Sequence, residues 1–430
     1  MLLQKHFVIL HLLVEFAVHS PNNKVVNFCF DFSVINNDIK MKKLTIESIR
    51  LEGNQVQCSL LIGKNRELLI TNINETCLPF LCIDRIDAYV VGFLYFAMKN
   101  GYDFYSEIPI SSELYYSIKK HYIPGLRLGN SELHDVEIIA PFSDFHPTKE
   151  KNIIGTGISC GVDSLYTIQV NTSDDIPRSC KLNGLFFFNV GAGFKGEKTL
   201  RTPLIEGRME MAERFSKEYG FAYYFIESNI HLIMHKYVPY DHLEMESFVA
   251  LFCIYTLQNG IKSYHFSSSN SVKDFSIDGD IVKNEGTCMF DMFTYSCLSI
   301  NGMTFNSEGA EVERLDKVRS LCCYPPAYKY LNVCFNELHN CGICAKCIRT
   351  LLEINAVGDI DQFMDVFDVH FFKKHYKTYL RRLFINAKMK NEFYSKKIYP
   401  YYASQISIWD KMKWILSIIL NKFVHKHVEV

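Results

Sequence analysis

Two short stretches carry residue types whose spacing could do chemistry. The first is Ser159-Cys160-Gly161-Val162-Asp163-Ser164, which joins an apolar run at 153–158 to a helical pattern from Val162. A strand, a tight turn and a helix start aim several backbone N–H groups and the positive helix end at one point, which suits an oxyanion or a pyrophosphate. Gly161 allows close approach of the backbone, and Ser159 and Ser164 add hydroxyl donors. Asp163 either orients the loop or holds a magnesium ion that bridges phosphates. The plain alternative is an ordinary capped helix after a core strand. The second stretch is Cys334-x6-Cys341-x2-Cys344-x2-Cys347, four soft ligands in fourteen residues. Two consecutive Cys-x2-Cys steps place thiolates within reach of one ion, and a tetrahedral all-cysteine site selects zinc, with an iron–sulfur cluster as the alternative. Four thiolates leave the ion no open position for water, so the expected role is structural. His339 could stand in for one thiolate, while Cys322 and Cys323 read as buried hydrophobes.

These residues need elements to hold them. From residue 152 onward, apolar strands at 153–158, 185–190, 222–226 and 264–267 alternate with helical patterns at 162 onward, 208–219 and 244–257. That alternation predicts a doubly wound parallel sheet covered on both faces, with ligands at the carboxyl ends of the strands. Asn189-Val-Gly191-Ala-Gly193 follows the second strand, and Ser267-Ser268-Ser-Asn270 follows the fourth, so both could line one cleft. Upstream, 43–72 alternates as a β-meander with turns at Gly53-Asn54 and Gly63-Lys64-Asn65. A helix follows over 84–98, stopped at Asn100-Gly101. A short helix begins at Ser111-Ser112-Glu113 and is expected to end at Pro124-Gly125, and a strand is expected at 136–140. The organisation read from this is 1–40 as an uncertain extension, 41–150 as a small α+β domain, and 151–320 as the α/β domain. A four-cysteine subdomain (321–360) and a helical, locally basic C-terminal region (361–430) follow.

The Ser-x-Gly-x-Asp-Ser loop resembles the PP-loop of the N-type ATP pyrophosphatases, in which Ser-Gly-Gly-x-Asp-Ser is usual; Cys160 stands where that family has glycine. The loop and the cysteine array together resemble the 7-cyano-7-deazaguanine synthase branch, over roughly residues 150–357, and Arg349, two residues after Cys347, fits that branch's basic residue. A two-domain PP-loop enzyme that uses ATP to epimerise the terminal glutamate of a cell-wall precursor is similar as well. The resemblance implies a PP-loop/HUP-like sheet with ATP and Mg2+ at Ser159, Cys160, Gly161, Val162, Asp163, Ser164, Asn189, Gly191 and Ser268. It implies Asp163 and Ser164 as the catalytic pair, and zinc on Cys334, Cys341, Cys344 and Cys347. The activity implied is adenylation of a small-molecule carboxylate, with release of pyrophosphate and then AMP. Thiolation or other modification of a tRNA base and a non-catalytic nucleotide sensor are the alternatives.

Other charged groups have cheaper explanations. Asp241-His242-x-Glu244-x-Glu246 opens a helix whose dipole favours acids, and Glu311-x2-Arg314-x2-Lys317 has the spacing of a surface ion pair. The helical pattern at 406–423, with Trp409, Trp414, Ile415, Ile418, Ile419 and Leu420 beside Lys411, Lys413 and Lys422, reads as a docked terminal helix before a membrane-surface one.

The chain has 430 residues, with 46 Lys+Arg, 47 Asp+Glu and a net charge of −1. That length predicts two or three domains, and a charge so near zero disfavours a nucleic-acid-binding surface over the whole molecule. Hydrophobic residues at 48% and charged residues at 22% exclude wholesale disorder. Fifteen cysteines in a chain this large, four of them clustered, point to metal in a reducing, cytoplasmic setting. The apolar stretch 7–18 is read as part of an upstream extension before a start at Met41, in preference to a signal peptide.

Overall fold

The computed structural model describes residues 42–196 and 200–426, with side chains as far as residue 417. The stretch 7–18 and the Met41 start lie outside the described residues, as do the side chains of Ile418, Ile419, Leu420 and Lys422.

The meander forms as its alternation requires. Strands β1 (Lys42–Glu52), β2 (Gln55–Ile62) and β3 (Asn65–Ile73) pair antiparallel. Val56, Cys58, Leu60 and Ile62 point into the core from β2, as period-two patterning demands. Helix α1 (Asp87–Asn100) ends at Gly101, whose left-handed φ of 68° lets its N–H reach Ala97 O. Strand β4 (Tyr102–Ser106) returns parallel to β1. Pro124 does not end the next helical stretch. Helix Ser112–Ser117 passes through a π-type turn into Ile123–Gly129, where proline occupies the first turn and needs no N–H partner. Only Ile138–Ile139 of the expected 136–140 strand is extended as a strand; it is β6, with β5 (Ile110–Ser111) before it and β7 (Phe142–Ser143) after it.

The second half alternates. Strand β8 (Ile153–Gly157) leads to α2 (Val162–Thr172), β9 (Gly184–Asn189) to α3 (Pro203–Glu218), and β10 (Ala222–Ser228) to α4 (His242–Thr256). Then β11 (Ile261–Ser267) and β12 (Thr304–Glu308) follow, the latter with no forecast in the sequence. These five strands lie parallel in the order β12-β11-β8-β9-β10. Counted within this half the order is 5-4-1-2-3, so the winding reverses between β8 and β11, and a doubly wound sheet opens its ligand crevice at that point.

The sheet continues beyond β10. Its free edge pairs antiparallel with β3 through Ile226–Ile73, Glu227–Asn72 and Ser228–Thr71. The result is one ten-stranded mixed sheet, β12-β11-β8-β9-β10-β3-β2-β1-β4-β6, mostly parallel, with helices on both sides. The stretch read as a separate α+β domain thus shares a sheet and a core with the α/β half. Helix α1 lies on α4, with Tyr95 stacked on Phe248 at 5.2 Å and Gly92 pressed against Phe252. A buried knot of Asp87, Ser111, Gln258 and Asn301 ties the two halves by hydrogen bonds of 2.8–3.2 Å.

The C-terminal half of the chain closes with helices: α5 (Arg314–Leu321), α6 (Ala345–Val357), α7 (Tyr376–Lys388), α8 (Phe393–Tyr402) and α9 (Ile408–Lys426). Trp414 of α9 is buried against Phe384, the docked arrangement expected, although Ile408, Trp409, Met412 and Leu416 remain exposed. No helix among the described residues is long and apolar enough to cross a membrane.

Candidate functional site

The Ser159–Ser164 loop sits at the carboxyl end of β8, beside the end of β11. Its sharp bend is made by Cys160, which takes a left-handed φ of 57°, while Gly161 is extended. The position that takes the left-handed conformation is therefore Cys160, and Gly161 needs no such freedom. A non-glycine residue there carries roughly 1–2 kcal/mol of strain. The bend persists because Cys160 O accepts from Asn332 N at 2.8 Å and the thiol is buried, which pushes its ionisation up to about 12 and leaves it inert. Ser164 turns inward: its Oγ donates to Gly157 O at 2.9 Å and accepts from Ser159 N at 3.2 Å, so it braces the loop. Val162 is core. No side chain caps α2 at Gly161, which leaves the amide end of that helix open to an anion.

Asp163, in the first turn of α2, faces two cations. Its Oδ2 lies 3.0 Å from Arg314 Nη1 and its Oδ1 lies 3.3 Å from Lys317 Nζ. Arg314 and Lys317 are one turn apart on α5, but they pair across elements, not with Glu311, because their face of α5 turns inward. Arg314 also reaches Glu353 at 3.2 Å, and Lys317 donates to Ser268 O at 2.6 Å. Burial alone would raise the Asp163 carboxyl, yet Arg314 and Lys317 hold it below its ordinary range. Burial likewise opposes the Arg314 charge, and Glu353 and Asp163 outweigh it. The Asp163 side chain remains 22% exposed, so solvent reaches this cluster.

A third helix completes it. Lys346, Arg349 and Glu353 follow one face of α6 at i, i+3 and i+7. Lys346 stands 3.4 Å over the Phe335 ring and Arg349 lies 4.0 Å over Tyr394. Burial, with the charges of Arg349 and Arg314, pushes Lys346 down to about 8. Four cations thus gather about two carboxylates, Asp163 and Glu353, at an open helix N-terminus. That excess of positive charge is chemically suited to a polyphosphate or another anion. Within electrostatic reach of Lys346, the half-buried Glu246 of α4 is pushed up to about 8 by burial and then by Asp291, itself pushed up to about 6 by burial. Three residues given bland explanations in the sequence, Arg314, Lys317 and Glu246, therefore belong to this site. Their signal in the sequence was only charge at helical spacing.

No protein-family model, curated protein or solved structure matches this chain. Geometry alone places its residues.

The four expected cysteines do come together. Their sulfurs all lie within 4.8 Å of one another, with Cys341 and Cys347 Sγ at 4.0 Å. A zinc tetrahedron with bonds of about 2.3 Å puts its sulfurs about 3.8 Å apart, so the cluster fits zinc. Backbone N–H groups of Cys344 and Cys347 donate to Cys341 and Cys344 Sγ, each at 3.4 Å. Gly342, with φ of 70°, makes the turn. Asn340 fastens the knuckle to Leu331 O and Val366 O. Cys344 is the N-cap of α6, so this knuckle sets the start of the helix that carries Lys346, Arg349 and Glu353. Cys322 is buried as expected, Cys323 is exposed, and His339 is not part of the cluster.

The loop after β9 is arranged differently from an open nucleotide seat. Asn189 spends its amide on Glu227 and Leu200 O, at 2.8 Å each. A Cβ on Gly191 would lie 2.8 Å from His231 and 2.9 Å from Tyr240, so protein already fills that space. Ser268 joins the cluster through its backbone carbonyl. A cleft of about 670 Å3 between α3 and residues 329–340 and 364–370 carries none of the clustered charges.

Proposed function

We propose that this chain is an ATP-dependent enzyme of the pyrophosphatase type, which adenylates a substrate carboxylate. The observation that supports the reading most is the convergence of Arg314, Lys317, Lys346 and Arg349 on the uncapped start of α2, at the point where the strand order reverses. The PP-loop resemblance of Ser159–Ser164 supplies the reaction class. In this reading the α2 amides and the four cations bind the β and γ phosphates. A substrate carboxylate oxygen attacks the α phosphorus, the bond to the bridging oxygen breaks, and pyrophosphate leaves with the charge it gains held by those cations. Asp163 acts as the counter-ion that keeps Arg314 and Lys317 extended when nucleotide is absent. Its two oxygens face those cations, so magnesium fits here as a partner of the nucleotide's own phosphates, adding charge neutralisation. Zinc on Cys334, Cys341, Cys344 and Cys347 braces α6.

The test is release of AMP from α-labelled ATP with a pool of candidate carboxylates. Wild type is expected to form AMP, and Lys346→Met to form it at least about tenfold more slowly while its circular dichroism is unchanged. ATP binding with no AMP under any carboxylate would leave a nucleotide sensor in place of an enzyme.

A further inference from the structure

A cavity of about 150 Å3 lies between α6 and the helices α7 and α8 of the C-terminal region. Lys346, Arg349 and Arg382 bring positive charge to its wall, and Asn386 and Ser395 add neutral polar groups. Glu392 is the acid of the lining, and it spends both oxygens capping α8, accepting from Tyr394 N and Ser395 N at 3.2 and 2.7 Å. Beside Ala345, the rest of the wall is four larger aliphatic side chains, Ile348, Leu352, Leu383 and Ile398. Arg349 Nε is buried with no hydrogen-bond partner among the described residues, a state that normally calls for a missing acceptor. Lys346 and Arg349 belong to this wall and to the cation cluster about Asp163 alike, so the cavity adjoins the place assigned to phosphate.

We propose that this cavity binds a small organic carboxylate and that, given the adenylation reading on which this part rests, it is the seat of the acceptor. A planar carboxylate can take two parallel hydrogen bonds from a guanidinium. The four aliphatic side chains would contribute nothing to an inorganic anion, so the ligand has an apolar body. Its size is bounded, since a cavity of about 150 Å3 holds a ligand of roughly benzene size. The helical C-terminal region then has a part in the chemistry: α7 and α8 supply half of the acceptor pocket.

Isothermal titration of the full chain with isovalerate, benzoate and inorganic phosphate, and separately with ATP, tests this. Leu383→Trp fills the cavity, and Arg382→Ala removes an exposed cation whose one side-chain bond among the described residues is to Ile343 O at 3.0 Å. Wild type is expected to bind isovalerate or benzoate, Arg382→Ala about tenfold more weakly, and Leu383→Trp not at all, with ATP affinity equal in all three. Phosphate binding as tight as either carboxylate overturns the proposal. So does ATP binding without carboxylate binding, and so does unchanged carboxylate affinity in Arg382→Ala, which decides alone if Leu383→Trp fails to fold. Carboxylate binding that obeys both variants in a chain that does not bind ATP would sink the adenylation reading and leave the pocket.

Discussion

At the scale of single residues, the loop bend rests on a side chain in a conformation that suits glycine. Cys160 combines a left-handed φ with a fully buried thiol, and the two features pull in opposite directions under mutation. Cys160→Gly loses the buried sulfur but relieves the strain, whereas Cys160→Ala loses the sulfur and keeps the strain. Cys160→Ala should therefore be the less stable variant, by about 1 kcal/mol, in urea titrations. The reverse order would show that the bend is unstrained. Glu246 gives a second residue-level expectation. Its folded ionisation near 8 lies above the unfolded value of about 4.3. The folded chain keeps a proton there that the unfolded chain releases, so wild type loses stability as pH rises from about 4.3 to 8. Glu246→Gln has no such loss. Its melting temperature relative to wild type should climb from pH 5 to pH 8 and then level off; a constant offset would mean that Glu246 titrates normally.

Among elements, α6 matters most, because one helix has the four-cysteine knuckle at its start and three charged site residues along one face. Cys344 caps it, and Lys346, Arg349 and Glu353 follow. Structural zinc contributes about 10–16 kcal/mol to folding in small zinc peptides, so under the proposed zinc assignment a lost ligand should be felt beyond the knuckle. On the proposed function, Cys344→Ser is expected to lower zinc content, to reduce the melting temperature by several degrees, and to weaken ATP binding about tenfold, as metal analysis, calorimetry and titration would report. Full ATP affinity in a zinc-free chain would separate the metal from the anion site. The basic stripe of α5 behaves similarly: Arg314 and Lys317 gain meaning only because α2 presents Asp163 to them.

For the molecule as a whole, the seam between β3 and β10 makes the meander and the α/β half one structure. Thr71 meets Ser228, Asn72 meets Glu227, and Asn229 bonds back to Leu68 and Ile70. Above the seam, α1 packs so closely on α4 that a Cβ at Gly92 would sit 2.9 Å from Phe252 Cβ. Gly92→Val should then cost about 1–3 kcal/mol and shift a single calorimetric transition that both halves share. Two separated transitions, with only one displaced, would mean that the halves fold independently.

What the sequence determined on its own is whatever depends on near neighbours in the chain. The β-meander, the alternation of strands and helices, the bend at Ser159–Ser164 and the cysteine cluster are set by period, turn residues and short ligand spacing, and each was legible. The tertiary structure alone decided what depends on distant partners. Arg314 read as a surface ion pair because nothing local reveals that Asp163, 151 positions away, lies 3.0 Å from it. Gly191 reads as a turn that a nucleotide could approach, whereas His231 and Tyr240 occupy that space, and residues 41–150 read as separate because an edge strand does not announce which edge it will join. Local propensity acts through bonds and turns a few residues long, while burial and charge act through space, and space is fixed only when the sheet has closed.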